Sequence, residues 1–411
     1  MALIKYLDYI IYWTIVCIPF FVAIAPAPAN VFMGFLIAAF ILKKILKKER
    51  VFINTPINIP LLCLFIVTSL SLINSINYPD SIKGGIFRLL QYIFVFFSIA
   101  ENVKETKHIK IIVFSILAGL TIASVDAIWQ ASTGWDFIRG YAPTINLGLV
   151  RATASFKDAN LLGIYLSAFA PLLFGLNLYY YQKTKRAALI LISFITLIGI
   201  VLTFSRPTLL AVYIALFFLG FVQKDKLLIS LLIILMLISP FILPKSVKNW
   251  AKEVEYNPVR FMCNDDRIAV YHNSLNMIRA HPVIGVGANT YMKNYKQYKQ
   301  FPEYRNVVTL DYMHAHNMYL HMICEIGLIG IAMFTWLLYN LFARAKIIYK
   351  AQSQQYLKVL SISLAACLTA FLVNGLTESS LYYSRVAVIF WYLCGLLLSL
   401  NKFVQENRLR Q

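Results

Sequence analysis

Residues 187–222 read AALILISFITLIGIVLTFSRPTLLAVYIALFFLGFV, two apolar runs separated only by the Ser-Arg-Pro triplet at 205–207. Basic clusters flank the stretch, KTKR at 183–186 and QKDK at 223–226. A helix that spans the hydrocarbon core of a bilayer needs about 20 mostly apolar residues. The stretch therefore predicts either two membrane spans or a re-entrant pair, and in both cases the triplet lies at a membrane surface.

The rest of the chain repeats this pattern. The 411 residues are 60% hydrophobic and 14% charged, whereas about a quarter of the residues of a soluble domain are charged. This composition excludes a soluble enzyme, a disulfide scaffold and a disordered chain. The apolar runs predict about twelve transmembrane helices, at 6–25, 30–46, 57–75, 86–102, 109–129, 160–180, 187–204, 207–222, 226–243, 317–342, 356–376 and 383–401.

These runs predict an all-α polytopic membrane protein in three parts. Residues 1–243 carry nine helices, 244–315 form one long, partly helical loop, and 316–411 carry three helices and a tail. A helix of the loop that starts at Asp265-Asp266 and ends before Pro282 is predicted to be amphipathic, with Asn264 as its cap. Its apolar stripe is formed by Ile268, Tyr271, Leu275 and Ile278.

The net charge of +20 is explained by topology and does not indicate nucleic-acid binding. With the N-terminus inside, the cytoplasmic segments hold 21 Lys and Arg, whereas the short outer loops hold 7. Cytoplasmic loops of membrane proteins carry an excess of Lys and Arg. Both termini are therefore predicted to be cytoplasmic, and the long loop is predicted to be periplasmic.

Two arginines on the outer side are candidate functional residues. Arg206 lies one residue from hydrocarbon, where a cation is costly unless it snorkels to lipid phosphate or is paired. Arg267 lies in the first turn of the loop helix, where the helix dipole disfavours a cation unless an acid or an anionic ligand compensates. An ion pair with Asp265 or Asp266 is the structural alternative for Arg267.

Three of the six histidines fall within the segment HAHNMYLH at 314–321. Their spacing does not favour a metal site, because His314 and His316 need an extended chain while His321 lies a helical turn beyond. His321 and Glu325 are four residues apart, which favours a structural pair on one helical face. His316, at the mouth of the helix, is a candidate general base.

Two arginines and a histidine on one face of a membrane suit a particular kind of chemistry. Guanidinium groups bind diphosphate bidentately and stabilise it as a leaving group, and an imidazole can take a proton from an incoming hydroxyl. A membrane-embedded, diphosphate-linked lipid is the natural donor for such a site.

The sequence resembles the O-antigen ligase and O-antigen polymerase superfamily of bacterial polytopic membrane glycosyltransferases. Five segments in order carry the resemblance: RATASFKDANLLG (151–163), LTFSRPTLL (202–210), DDRIAVYHNSLNMIRAHPVIGVGANTY (265–291), HAHNMYLHMICEIGLIGI (314–331) and GLTESSLYYSR (375–385). The His-x-His-Asn motif and a chain near 400 residues favour a ligase. The resemblance implies a GT-C-like fold in the bacterial inner membrane with its active site on the periplasmic side.

The resemblance also implies roles for particular residues. Arg206 and Arg267 would bind the diphosphate of an undecaprenyl-diphosphate-linked glycan, and His316 would activate a sugar hydroxyl of a lipid A-core acceptor. The reaction would invert the anomeric carbon and need no metal or other cofactor. Further candidates for substrate binding are Arg151, His314, Glu378 and Arg385, where Glu378 either orients an arginine or pairs structurally with Arg385.

Two other functions stay open from the sequence. A polymerase or an oligosaccharyltransferase would use the same donor. A polymerase would extend the glycan on its lipid carrier and would not transfer it to lipid A-core. A transporter of anionic or lipid substrates would place charged groups near the bilayer midplane and carry repeats, whereas the informative charges here gather at one surface. The sequence predicts no nucleic-acid partner and leaves the glycan, the acceptor sugar and the oligomeric state undefined.

Overall fold

The computed structural model describes residues 2–146, 148–180, 186–243, 245–263, 265–299 and 314–404. Residues 300–313 of the predicted loop, the predicted cap Asn264 and the tail after 404 lie outside these ranges.

The described residues form seventeen α-helices and one short β-hairpin. In the N-terminal half these are α1 (Ala2–Ile24), α2 (Pro26–Lys47), α3 (Asn58–Leu70), α4 (Tyr78–Asp80), α5 (Arg88–Asn102), α6 (Thr106–Thr133), β1 (Thr144–Asn146), β2 (Leu149–Arg151), α7 (Ala159–Tyr179) and α8 (Arg186–Leu202). In the C-terminal half they are α9 (Arg206–Gln223), α10 (Lys226–Ile242), α11 (Lys245–Glu253), α12 (Pro258–Met262), α13 (Asp265–Ala280), α14 (Tyr291–Tyr298), α15 (Met318–Ala351), α16 (Gln355–Asn374) and α17 (Ser384–Ser399).

This helical content confirms an all-α polytopic membrane protein. Within the described ranges, nine helices are long and apolar enough to cross a membrane. Three shorter apolar helices, Asn58–Asn74, Arg186–Leu202 and Lys226–Phe241, occupy the remaining predicted runs. The nine long spans and the three short helices therefore coincide one to one with the predicted runs, although only nine have the length of a full span.

The pair α8 and α9 is held by different neighbours. Helix α8 packs mainly on α6 and α7, whereas α9 packs mainly on α16 and α7. Helix α8 has 17 residues, which at 1.5 Å per residue extends about 25 Å. The two helices therefore share α7 but differ in their main neighbour, α6 for α8 and α16 for α9, and Arg206 begins α9 at the junction.

The centre of the bundle is formed by helices that are apolar on all sides. Helix α16 packs between α7 and α9, and α17 packs on α5. Both central helices are mostly buried, as expected for helices without a polar face. The turn that joins them, residues 375–383, is thereby fixed at one end of the bundle.

Helix α13 of the loop packs on α15 and α14, and the predicted apolar stripe lies at the edge of its buried face, where Ile278 packs on the buried residues. Its buried positions include Val270, Ser274 and Met277, while Leu275 is 39% exposed. Ser274 Oγ hydrogen-bonds to Tyr291 Oη at 2.8 Å. Polar partners on α14 thus compensate the burial of Ser274, and this turns the buried face by about one residue from the face that hydrophobicity predicts.

Candidate active site

The start of α15 is tied to the turn after α16. Asn317 caps the helix, since its side-chain oxygen accepts hydrogen bonds from the N–H groups of Tyr319 and Leu320. Its amide nitrogen donates to the Leu376 carbonyl at 2.9 Å, and the Met318 N–H donates to the Gly375 carbonyl at 2.7 Å. The histidine that precedes the cap is therefore fixed relative to this turn.

His316 occupies the position before the cap with φ of 46°. A left-handed backbone is costly for a residue with a side chain and persists only where the surroundings impose it. Tyr271 of α13 contributes to this, because its hydroxyl donates to the His316 carbonyl at 3.0 Å. The imidazole is 25% exposed, so a substrate group can reach it.

Glu378 lies between His316 and Arg267 and is 3% exposed. Its Oε1 accepts a hydrogen bond from Arg267 Nη2 at 2.5 Å, and its Oε2 lies 3.6 Å from His316 Nδ1. Burial works to raise the pKa of Glu378, but the charge of Arg267 and the neighbouring His316 outweigh burial and lower it. The carboxylate is therefore ionised and connects the arginine to the imidazole.

Arg267 is anchored on the same turn by a second contact, from Nη1 to the Thr377 carbonyl at 2.8 Å. Burial works to lower the pKa of Arg267, but the Glu378 carboxylate outweighs it and the pKa is raised. The side chain of Arg267 retains 16% exposure. A charged group with an accessible edge can bind an anion without giving up its protein partner.

Arg206 and Arg151 lie at the junction of α8 and α9. Arg206 donates a hydrogen bond to the Phe261 carbonyl, and its guanidinium lies 5.8 Å from the ring of Trp250. Arg151 Nε donates to the Thr203 carbonyl at 2.9 Å.

The three guanidiniums lie close enough to repel one another. The positive charges of Arg267 and Arg151 repel the guanidinium of Arg206. Burial is the main cause that lowers the pKa of Arg151; Asp158 and Glu378 oppose it, and Arg267 adds to it. Because the cluster holds three guanidiniums and the one buried carboxylate of Glu378, it is electropositive and favours an anionic ligand.

His314 packs its ring on Tyr383, with centroids 4.9 Å apart. Burial, with the neighbouring His321 and His316, lowers the pKa of His314 to about 4. The ring is thus neutral near pH 7 and provides an uncharged wall of the site.

The predicted pair of His321 and Glu325 is confirmed, with Nε2 and Oε1 3.3 Å apart. Glu325 also accepts hydrogen bonds from the N–H groups of Asn289 and Tyr291, which ties the segment before α14 to α15. In the part of the chain that is described, no three His, Cys, Asp or Glu side chains group as ligands for a metal ion.

Arg385 does not join this cluster. Its guanidinium donates to the carbonyls of Val22, Ala23 and Ser155 and lies 3.6 Å from the ring of Phe156. The predicted alternative, a pair between Glu378 and Arg385, is wrong because Glu378 is paired with Arg267. Arg385 instead joins α17 to the end of α1, and carbonyl oxygens satisfy its donors.

The sequence does not identify several residues of the site. Asn317 carries a readable signal, since Asn directly before an apolar helix is a typical cap. Tyr271, Trp250 and Phe261 carry no such signal, because aromatic residues in an amphipathic segment usually serve packing.

The fold and the site together define a polytopic membrane protein whose loop and helix ends assemble three arginines, a buried glutamate and a histidine. Residues 163–335 match the family model described as O-antigen ligase. The match includes Arg206, Arg267 and His316, whereas Arg151 and Glu378 lie outside it. The resemblance to the O-antigen ligase and polymerase superfamily is thereby confirmed, and it supports glycosyl transfer of the ligase or polymerase type. No curated protein matches the chain.

Proposed function

We propose that the protein is an O-antigen ligase, which transfers a glycan from undecaprenyl diphosphate to a sugar hydroxyl of lipid A-core. The observation that carries this proposal is the cluster of three guanidiniums beside a histidine whose Nδ1 faces a buried carboxylate. The excess of Lys and Arg in the predicted cytoplasmic segments supports placing the cluster on the periplasmic face of the inner membrane, with both termini in the cytoplasm.

The donor diphosphate binds between Arg206 and Arg267 in this proposal. A guanidinium contacts two phosphate oxygens at once, which a lysine ammonium does not. Arg267 keeps Glu378 and the Thr377 carbonyl while its exposed edge binds the phosphate. Arg206 exchanges the Phe261 carbonyl for a phosphate oxygen. Arg151 adds positive potential, and the neutral His314 lines the site.

His316 acts as the general base. Because its Nδ1 faces Glu378, Nε2 is the nitrogen that takes the proton from the acceptor hydroxyl. The hydroxyl oxygen then attacks the anomeric carbon from the side opposite the diphosphate, and the bond from that carbon to the diphosphate oxygen breaks. The configuration is inverted, and undecaprenyl diphosphate leaves with its charge neutralised by the arginines rather than by a metal. Glu378 stabilises the imidazolium that forms.

The test is glycan transfer by the purified full-length protein in detergent, with a lipid-linked glycan donor and a lipid A-core acceptor. We expect transfer by the wild type and a loss of at least a hundredfold in Arg206→Ala, Arg267→Ala and His316→Ala. Arg139→Ala is the matched control, because Arg139 is an exposed arginine on the same predicted face.

The product decides between related functions. Glycan attached to lipid A-core supports a ligase, whereas a longer glycan retained on the undecaprenyl carrier identifies a polymerase. Transfer in detergent proceeds without a gradient across a membrane, so it also excludes a transporter that needs one. Full activity of any of the three alanine variants removes that residue from the mechanism.

A further inference from the structure

A second cleft opens beside α15, away from the three arginines. Residues of α3, α5, α15 and α17 line it, together with the π-helical turn 81–87, the turn before α17 and the segment before α14, and its cavity volume is about 100 Å³. Of its α15 residues, Met322, Glu325 and Ile326 lie four to eight residues beyond the start of the helix, which is about 6–12 Å at 1.5 Å per residue, and Phe334 lies further along it. Mostly apolar clefts with a few polar groups are typical of ligand sites.

Arg88 lines this cleft without a protein partner. It is the first residue of α5, and it forms no hydrogen bond or ion pair with any residue that the structure describes. A half-buried cation at the end of a spanning helix needs an anionic partner or water. The only carboxylate that lines the cleft among the described residues, Glu325, is already bonded to His321 and to two backbone N–H groups.

Tyr92 lines the same cleft one helical turn further along α5. Its side chain is 5% exposed, and its hydroxyl has no hydrogen-bond partner in the described part of the protein. Residues four apart on a helix lie on one face, so Arg88 and Tyr92 present a cation and an orphan hydroxyl to one space. A buried hydroxyl without a partner indicates a ligand group or water.

The π-helical turn that precedes Arg88 is closely fitted. A Cβ atom at Gly84 would lie 2.0 Å from the amide nitrogen of Asn289, and one at Gly85 would lie 2.6 Å from the Cβ of Ala288. The π-helical turn therefore packs directly on the segment before α14. The remaining lining is largely apolar and includes Trp391, so the cleft combines one cation with surfaces that suit acyl chains.

We propose that this cleft binds the lipid part of the acceptor, an acylated glycolipid that carries a phosphate, with Arg88 on the phosphate. Tyr92 donates to a phosphate or acyl-ester oxygen. One unpartnered cation suits a phosphate monoester, whereas the three guanidiniums of the active site suit the diphosphate of the donor. The lipid thereby presents its sugars along α15 towards His316. This inference rests on the proposed function, because it assumes that lipid A-core is the acceptor.

Binding is measured first, without donor. The wild-type protein in detergent is titrated with bisphosphorylated lipid A, and bound lipid is counted by native mass spectrometry. We expect Arg88→Gln to weaken binding at least about tenfold, the size expected for the loss of one charge-assisted contact. Lys83→Gln is the matched control, because Lys83 is an exposed cation on the adjacent turn that does not line the cleft, and it should bind like the wild type.

Tyr92→Phe keeps the ring and removes only the orphan hydroxyl. We expect about threefold weaker binding of lipid A with an unchanged melting temperature. If Arg88→Gln binds lipid A as the wild type does, or if phosphatidylglycerol displaces lipid A at equal concentration, the cleft is not an acceptor site and the proposal is overturned.

Kinetics separates this inference from the proposed function. In glycan transfer, Arg88→Gln should raise the KM for the acceptor about tenfold and leave the KM for the donor unchanged. A rise in donor KM instead would assign the cleft to the donor and overturn the proposal. If the wild type binds lipid A through Arg88 yet transfers no glycan to lipid A-core, the ligase function fails while the binding site stands.

Discussion

Replacing Glu378 with glutamine separates the negative charge of this carboxylate from its role as a hydrogen-bond acceptor. The substitution keeps the size of the side chain and an oxygen that can accept from Arg267, but it removes the negative charge. That charge lies 2.5 Å from Arg267 and 3.6 Å from His316. We therefore expect Glu378→Gln to lower kcat for glycan transfer while the KM for the donor stays equal or falls.

The size of the effect follows from the distance to the imidazole. Two unit charges 3.6 Å apart interact by about 4.6 kcal/mol at an effective dielectric of about 20. Arg267 contacts the other carboxylate oxygen and offsets part of this interaction. We expect about 2–3 kcal/mol less stabilisation of the imidazolium in the transition state, which lowers kcat roughly 30- to 200-fold.

The donor should bind to the Glu378→Gln variant at least as tightly as to the wild type. The carboxylate competes with the diphosphate for Arg267 and repels the diphosphate, so neutralising the carboxylate should leave the donor KM equal or lower it. Because the pair of Arg267 and Glu378 is buried, the melting temperature of the variant should also fall in the absence of donor. Adding donor should raise the melting temperature more than it does for the wild type, because the diphosphate compensates the charge of Arg267.

The assay is steady-state transfer with varied donor at saturating acceptor, together with thermal unfolding with and without donor. Glu105→Gln is the control, because the carboxylate of Glu105 is 65% exposed. A donor KM that rises with an unchanged kcat would refute the reasoning, since it would make Glu378 part of donor binding and not a partner of His316.

Three further variants test other parts of the structure. Arg206→Lys keeps the charge but loses bidentate contact, so donor kcat/KM should fall at least about tenfold; wild-type kinetics would contradict this. Burial lowers the pKa of His314 to about 4, so stability from its neutral ring is complete above about pH 6.5 and is lost as the pH falls towards 4. His314→Phe should flatten melting temperature against pH over that window, and an unchanged slope would speak against it. Gly327 has φ of 71°, and an added Cβ would lie 2.0 Å from the Val283 carbonyl; Gly327→Ala should destabilise by about 3 kcal/mol or more. Gly34→Ala, with nothing within 4 Å, should not.

The sequence predicts the helices well because the length of an apolar run is a local property. Each described helix that is long enough to span, and each of the three short apolar helices, falls on a predicted run. The confirmed pair of His321 and Glu325 is local in the same sense, since four residues along one helix bring two side chains together.

The contacts of the site could not be predicted in the same way. Arg267 and Glu378 are 111 residues apart, and no pattern within either segment names the other as a partner. Arg385 shows the converse. It lies seven residues after Glu378, yet the turn and the start of α17 direct it to carbonyls at the end of α1.

The buried face of α13 departs from its hydrophobic pattern for a related reason. Hydrophobicity indicates which residues tend to be buried. It does not indicate which polar partner a buried residue will contact. Ser274 is buried because Tyr291 bonds it, and this information resides in another segment of the chain.

The most direct test of the diphosphate site is the structure of the protein with undecaprenyl diphosphate bound. We expect diphosphate oxygens within about 3 Å of the guanidiniums of Arg206 and Arg267, beside His316, with Arg206 released from the Phe261 carbonyl. A diphosphate bound elsewhere, with both arginines still on their present partners, would contradict it.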